Sequence, residues 1–142
     1  YEVEIKVRAD HDTARRRLSE VDAVHTGTVE QVDTYYDHPV REFAETDEAL
    51  RIRRETAEEG SGVRVTYKGP LLETESKTRA ELETGIDDGE TFAAILEKLG
   101  FKPDATVEKI RERFECDGYT VTLDTVSGIG EFLEVETEAD VI

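Results

Sequence analysis

Apolar and charged residues alternate along most of this chain with the two-residue period of a β-strand. The first eight residues set the pattern: Val3, Ile5 and Val7 point one way, and Glu2, Glu4 and Lys6 point the other. The alternation returns from Thr28 to Asp37, with Gln31, Asp33 and Tyr35 on one face, and from Glu48 to Glu55, where Leu50 and Ile52 oppose Arg51 and Arg53. Gly60-Ser61-Gly62 is a hairpin turn signal. Val63, Val65 and Tyr67 then alternate with Arg64, Thr66 and Lys68, up to an expected stop at Gly69-Pro70. The polar run Glu73 to Lys77 reads as a loop, after which Ala80 and Leu82 alternate with Arg79, Glu81 and Glu83. Thr106 to Phe114 carries Lys109, Arg111 and Arg113 on one face and Ile110 and Phe114 on the other. Asp117-Gly118 turns the chain into Tyr119 to Val126, where Asp124 shares a face with Thr120 and Thr122. Gly128-Ile129-Gly130 leads into a last strand, Glu131 to Glu138, with Glu134 and Glu136 together.

Two stretches break this period and read as helices. Asp10-His11-Asp12-Thr13 supplies helix-start residues before Ala14, Leu18 and Val21, which predicts a helix from about Thr13 to Asp22. Asp87-Asp88-Gly89-Glu90 opens a second helix through Phe92, Ile95, Leu96 and Leu99, and Gly100 sits where a left-handed cap belongs. The order is βαββββαβββ, with no internal repeat, and 142 residues suit one domain spanning 1–142.

Charge decides which way the strand faces look. The chain carries 35 acids and 18 bases, a formal net charge of −17. The alternating faces nevertheless hold nine bases (Lys6, Arg51, Arg53, Arg64, Lys68, Arg79, Lys109, Arg111 and Arg113) against seven acids (Glu2, Glu4, Glu81, Glu83, Asp124, Glu134 and Glu136). That leaves nine bases and 28 acids elsewhere, so these faces are basic while the rest of the chain is strongly acidic. Ordinary solvated surface would share the general acidity. The sheet is therefore expected to close with the charges inside, giving an α+β fold: an eight-stranded antiparallel closed β-barrel, or tunnel, with flanking helices.

Such an interior cannot be dry, because an unpaired buried charge costs several kcal/mol. Clustered Arg and Lys suit the oxygens of phosphate or carboxylate, and grouped carboxylates suit a hard cation such as Mg²⁺ or Mn²⁺. Together they describe a site for a metal-bound polyphosphate. The sequence holds no GxxxxGK(S/T) loop and no GxGxxG turn, which removes the P-loop and dinucleotide-fold solutions to phosphate binding.

Composition narrows the partners further. The acid excess repels nucleic acid and anionic membranes, so neither is expected as a partner; a small polyphosphate is, and a homodimer is left open. No apolar run approaches the ~20 residues that span a bilayer and no signal peptide is visible, so the chain reads as soluble and cytoplasmic. The first residue is Tyr rather than Met, and a short upstream segment is compatible with that. Twelve arginines against six lysines within an acidic chain suit concentrated salt, where the Debye length is ~3 Å at 1 M, although an ordinary acidic cytosolic protein is the simpler reading. The single cysteine, Cys116, allows no internal disulfide. His11, His25 and His38 lack a second histidine at ligand spacing and read as surface residues. Tyr35 and Tyr67 read either as packed aromatics or as tunnel-mouth side chains.

Glu2-x-Glu4-x-Lys6 resembles the ExExK signature of the CYTH superfamily, the triphosphate tunnel metalloenzymes, which includes class IV adenylyl cyclases, thiamine triphosphatases and inorganic tripolyphosphatases. The resemblance continues through Leu50-Arg51-Ile52-Arg53, Thr66-Tyr67-Lys68-Gly69-Pro70, Arg79-x-Glu81-x-Glu83, Lys109-x-Arg111, Leu123-Asp124-x-Val126 and Gly130-x-Phe132-x-Glu134-x-Glu136. It implies that Glu2, Glu4, Glu134 and Glu136 are metal ligands or their neighbours, with Asp124, Glu81 and Glu83 completing the acidic side, for Mg²⁺ or Mn²⁺. Lys6, Arg51, Arg53, Lys68, Arg79, Lys109 and Arg111 would grip the triphosphate, with Arg113 and Arg64 further along. Arg51 and Arg53 would neutralise charge in an in-line displacement at phosphorus, and Lys6 or a glutamate such as Glu4 would help deprotonate the nucleophile.

Tyr35-Tyr36-Asp37-His38-Pro39, Asp47 to Arg53 and Thr66 to Pro70 look closest to the class IV cyclase-like branch, which implies conversion of ATP to cyclic AMP and pyrophosphate. Hydrolysis of inorganic tripolyphosphate, thiamine triphosphate or a nucleoside triphosphate is the alternative, and a non-catalytic polyphosphate or organic-phosphate receptor is a second. Family members usually continue past the last strand into a further helix that helps close the tunnel, whereas this sequence stops at Ala139-Asp140-Val141-Ile142; a lost segment or a more open tunnel is the expectation.

Overall fold

The structure, a computed structural model, describes residues 2–73 and 78–138. Eight antiparallel strands form a closed barrel: β1 (Glu2–Arg8), β2 (Val24–Asp37), β3 (Ala49–Ala57), β4 (Gly60–Glu73), β5 (Thr78–Ile86), β6 (Lys102–Cys116), β7 (Tyr119–Val126) and β8 (Gly130–Glu138). Around the wall the order is β1-β5-β4-β3-β2-β6-β7-β8. Most neighbours share long ladders; β1 and β5 close the barrel, with one registered pair among the described residues, Glu2 with Arg79.

The alternation becomes a barrel because one face of each strand can be covered by helices and the other cannot. Helix α1 (His11–Glu20) starts where Asp10 accepts a hydrogen bond from the Thr13 amide at 3.3 Å, one residue pair earlier than the sequence pattern indicates. Its Ala14 and Leu18 pack on Phe114, Val121 and Leu123 from the outer faces of β6 and β7. A one-turn helix α2 (Phe43–Thr46) lies between β2 and β3; four residues are too few to show periodicity, and the sequence pattern did not indicate it. Helix α3 (Gly89–Lys98) is capped by Asp88 through the Thr91 amide and ends at Gly100, whose φ of 98° meets the left-handed requirement. Its Leu96 joins Tyr36 and Ile52 in a second cluster. The apolar core thus lies outside the barrel, between wall and helices, as a charged interior requires.

One strand outruns its expected stop at proline, and another begins before the expected Thr106. β4 continues through Gly69-Pro70, and β6 begins before Pro103. Both prolines sit at register shifts, between Lys68 and Leu71 in one ladder and opposite Tyr36 in the other, where a missing N–H breaks no regular bond. Apart from residue 73, the loop expected over 73–77 lies outside the described residues. His11 is not a surface residue: it is 3% exposed, with Nε2 3.0 Å from the Phe132 carbonyl. Among the described residues no helix is long and apolar enough to cross a membrane.

The outward core makes a contrast within one face of the barrel. Leu123 is 1% exposed beneath α1, whereas Ile5, also outward, is 51% exposed. Leu123→Ala is expected to lower unfolding stability by about 2 to 5 kcal/mol and Ile5→Ala by less than about 1 kcal/mol, read as a shift of the denaturant midpoint.

Candidate functional site: a charged tunnel

The barrel interior holds a cavity of about 190 Å³ lined by six glutamates, eight Lys or Arg side chains and Tyr35. The ladders explain the convergence. Antiparallel pairing sets Glu4 opposite Glu136 and Lys6 opposite Glu134, so the inward faces of β1 and β8 share one acidic and basic row. Lys68 faces Glu81, Thr66 faces Glu83, and Arg53 faces both Asp33 and Arg64.

Two arginines are clamped from behind. Arg53 donates through Nε and Nη2 to the two oxygens of Asp33 at 2.7 and 2.8 Å. Arg111 donates in the same way to Asp124, 2.7 Å to each oxygen, and its Nη2 also reaches Glu134 at 3.2 Å. Asp33 and Asp124 are fully buried. Burial alone would raise the Asp33 carboxyl, but the hydrogen bonds and charge of Arg53 outweigh it and hold it low. Arg111, similarly desolvated, is kept charged by Asp124 and Glu134. Each clamp uses one edge of the guanidinium and leaves Nη1 without a protein partner among the described residues, which suits an incoming oxyanion.

The other cations are held more loosely. Lys6 lies 3.5 Å from Glu134, Lys68 lies 3.5 Å from Glu2 and 3.6 Å from Glu81, and Lys109 lies 3.6 Å from Asp33. Arg51 donates to Thr66 Oγ1 at 3.2 Å, while its buried Nε has no acceptor. Burial, with Arg111 and Arg53 alongside, pushes the Lys109 amine down to about 7. A buried guanidinium donor without an acceptor and a buried amine that sheds its proton both indicate a tunnel short of anions.

The opposite imbalance marks the β1/β8 side. Glu2, Glu4 and Glu136 each offer a carboxylate oxygen, and these oxygens lie within 4.8 Å of one another. Burial and the Glu134 charge raise Glu4 to about 7; burial and the charges of Glu2 and Glu134 raise Glu136 to about 8. Glu2 is raised by burial, partly opposed by Lys68. Glu134 goes the other way, to about 2, because Arg111 and Lys6 outweigh its burial. Three convergent carboxylates whose affinity for protons is raised by burial and by one another's charge are hard oxygen donors that fit Mg²⁺ or Mn²⁺.

The tunnel gathers the sequence-predicted residues except two. Arg79 turns away from the cavity: Nη1 donates to the Gly69 carbonyl at 2.9 Å and to the Asp47 carbonyl at 3.4 Å, pinning the α2 connection onto β4. Asp124, expected on the metal side, has both oxygens engaged by Arg111 and does not line the cavity. Glu83 lines it, but accepts from Thr66 at 2.8 Å and pairs with Arg64 at 3.0 Å, so its partners are cationic and hydroxyl groups. Tyr35 reaches the cavity, whereas Tyr67 hydrogen-bonds Glu48 outside it. Asp33, Gln31 and Glu55 were not anticipated as functional. Their inward parity was visible in the alternation, but the partner each meets is set by barrel closure.

A CYTH domain model matches residues 1–142. The chain belongs to the CYTH domain family. It is 41% identical over 136 residues to a Methanocaldococcus jannaschii protein whose name assigns it provisionally to the adenylate cyclases, covering 95% of this chain and 75% of that one. The solved structure of the Pyrococcus horikoshii protein PH1819 superposes with a TM-score of 0.93 at 41% identity, covering 99% of this chain and 79% of that one. A Hippeastrum adenylyl cyclase-like protein, described as having a dominant triphosphatase activity, shares the fold alone, with a TM-score of 0.71 at 21% identity over 99% of this chain and 80% of that one.

In this CYTH tunnel Glu4 and Glu136 have folded-state pKa values above the ordinary 4.5, so the stability their protonation contributes is complete below that value and is lost as pH rises through about 7 to 8. Lys109, held down to about 7, acts oppositely above that pH, because its buried charge is then relieved. Without metal, Glu136→Gln is therefore expected to melt higher than the parent protein at about pH 8 and equally at about pH 5. Mg²⁺ or Mn²⁺ should raise the parent's Tm most at the higher pH and leave the variant nearly unmoved; thermal melts with and without the ion are the measurement.

Proposed function

We propose that this chain is a Mg²⁺- or Mn²⁺-dependent enzyme that displaces at a phosphorus of a linear triphosphate held inside the tunnel. The observation that carries this reading is the cavity lining, in which eight cations face six carboxylates, three of them converging. A simple polyanion receptor has no need of carboxylates against its ligand unless a cation lies between them. Lys6, Lys68, Lys109 and Arg51, together with the open edges of Arg53 and Arg111, bind and orient the phosphoryl oxygens. The two clamped guanidiniums stay aimed at the oxygens that gain charge as the bond to the leaving phosphate breaks. Glu2, Glu4 and Glu136 would hold the metal, which supplies Lewis-acid neutralisation of phosphoryl oxygens when bound.

Hydrolysis is the outcome the cavity favours. Among the described residues Tyr35 is its one uncharged lining residue, and none of them gives an aliphatic wall to seat a nucleobase or other apolar group. The second reading, cyclisation of ATP, draws support from the cyclase name of the M. jannaschii relative and needs the ribose 3′-hydroxyl brought to about 3 to 3.5 Å of the α-phosphorus.

Purified protein with Mn²⁺ should release phosphate from tripolyphosphate, and should lose that turnover on chelation. Arg53→Ala or Arg111→Ala should lower kcat/KM by about two to three orders of magnitude. Cyclic AMP and pyrophosphate from ATP, without tripolyphosphate cleavage, would replace hydrolysis by cyclisation; tight binding with no product of either kind would make the protein a receptor.

Binding should also move a proton. Lys109 is largely neutral at about pH 8, and a polyanion beside it raises its pKa, so tripolyphosphate should bind with proton uptake there and with little uptake near pH 6. Titration calorimetry in buffers of different ionisation enthalpy measures this. Lys109→Gln should reduce the uptake.

A further inference from the structure

Glu55 shares the inward parity of Arg51 and Arg53 on β3 and accepts from three inward-facing side chains. Glu55, on β3, accepts from Gln31 Nε2 at 2.8 Å, from Arg64 Nη2 at 3.0 Å and from Arg113 at 3.4 and 3.5 Å. These donors come from β2, β4 and β6, so the cluster ties four adjacent strands together. Arg64 is held on its other side by Glu83 at 3.0 Å.

The position of the cluster distinguishes it from the phosphate-facing cations. Arg64 and Arg113 line the central cavity, and Glu55 does not. Glu55 and Arg64 instead line a surface groove at the β3–β4 turn, alongside Gly60 and Val63. Glu55 also borders the adjoining groove toward Gly85 and Ile86. The Arg64–Glu55–Arg113 cluster is therefore the partition between the tunnel and the solvent at that hairpin. Its side chains are 39%, 21% and 28% exposed, as expected of a wall with water on one side. Arg53 and Arg111, at 7% and 6%, lie deeper, with clamps that leave an edge facing inward.

We propose that Glu55 is a specificity-determining residue that closes this end of the tunnel and sets the length of phosphate chain it accepts. The proposal rests on the reading of the cavity as a triphosphate site. A linear phosphate chain lying along Lys6, Lys109 and Arg111 meets Arg64 and Arg113 as its last cations. While Glu55 holds both, the chain cannot run on into the hairpin groove. Released, the two arginines become further phosphate ligands and the groove becomes an exit for a longer chain.

The test compares tripolyphosphate with long-chain polyphosphate, by titration calorimetry in the presence of Mg²⁺, on the parent protein, Glu55→Gln and Glu55→Asp. Gln removes the charge at constant length. Asp keeps the charge but retracts it by one methylene, so a change shared by both variants cannot come from net charge. The parent should bind tripolyphosphate at least as tightly as the long chain, and both variants should favour the long chain by about tenfold or more, the scale of one added charge-assisted contact. A parent that already binds the long chain about tenfold tighter than tripolyphosphate overturns the proposal whether or not the variants fold. So does an unchanged preference in variants that fold. If tripolyphosphate binds none of the three proteins, the triphosphate reading falls and this proposal falls with it; if it binds all three with unchanged preference, only the role of Glu55 is lost.

Discussion

Charges inside a barrel must each find a partner, and in this molecule the two buried aspartate clamps meet the most demanding part of that requirement. Asp33 and Asp124 lie behind the interior arginines and take up one edge of each guanidinium. A buried arginine without such a partner would cost several kcal/mol and would be free to fold back on the nearest glutamate. With the clamp, its charge is retained, its direction is fixed, and its remaining donors point into the cavity. Removing either aspartate would strand a buried cation, so the binding surface and the stability of the wall depend on the same contacts.

The same requirement explains the placement of the hydrophobic core. A sheet with one charged face can bury only its other face, and α1 and α3 supply the cover. The cores they form are small and local, one around Leu123 and one around Ile52. The rest of the outer wall, including Ile5, Val7 and Leu82, stays open among the described residues. Apolar packing therefore covers only part of the outer wall among the described residues.

Within the tunnel the charges are sorted. On the β1/β8 side burial and neighbouring carboxylates raise Glu4 to about 7 and Glu136 to about 8, while on the β3/β6 side burial and neighbouring guanidiniums lower Lys109 to about 7. A uniform mixture would have neutralised itself. Sorting leaves unmet demand for positive charge on one side and for negative charge on the other, and a metal triphosphate carries both in one ligand. The two sides communicate through Glu134, which touches Lys6 and Arg111 and raises Glu4 and Glu136 by its own charge.

The sequence by itself determined the strand parity, and with it which residues face inward, because the side-chain period of two is a property of the local backbone. It determined closure indirectly, through the excess of bases on the alternating faces of an acidic chain, and the ExExK row with its ordered companions pointed to the family. It misplaced the end of β4, since a proline stops a strand only where its missing N–H would break a ladder bond, and that depends on register with a neighbour; it also began β6 at Thr106 rather than Lys102. Only the tertiary structure decided which inward charge meets which. Arg79 and Asp124 share the parity of the cavity residues, yet one is drawn to the Gly69 and Asp47 carbonyls and the other is engaged by Arg111. Gln31, Asp33 and Glu55 have the parity of the inward residues but were not counted among them, and they acquire roles only when β3, β2 and β6 are set side by side. Parity is written in every pair of residues along the chain, whereas an ion pair joins strands far apart in sequence, and its geometry exists only once the barrel has closed.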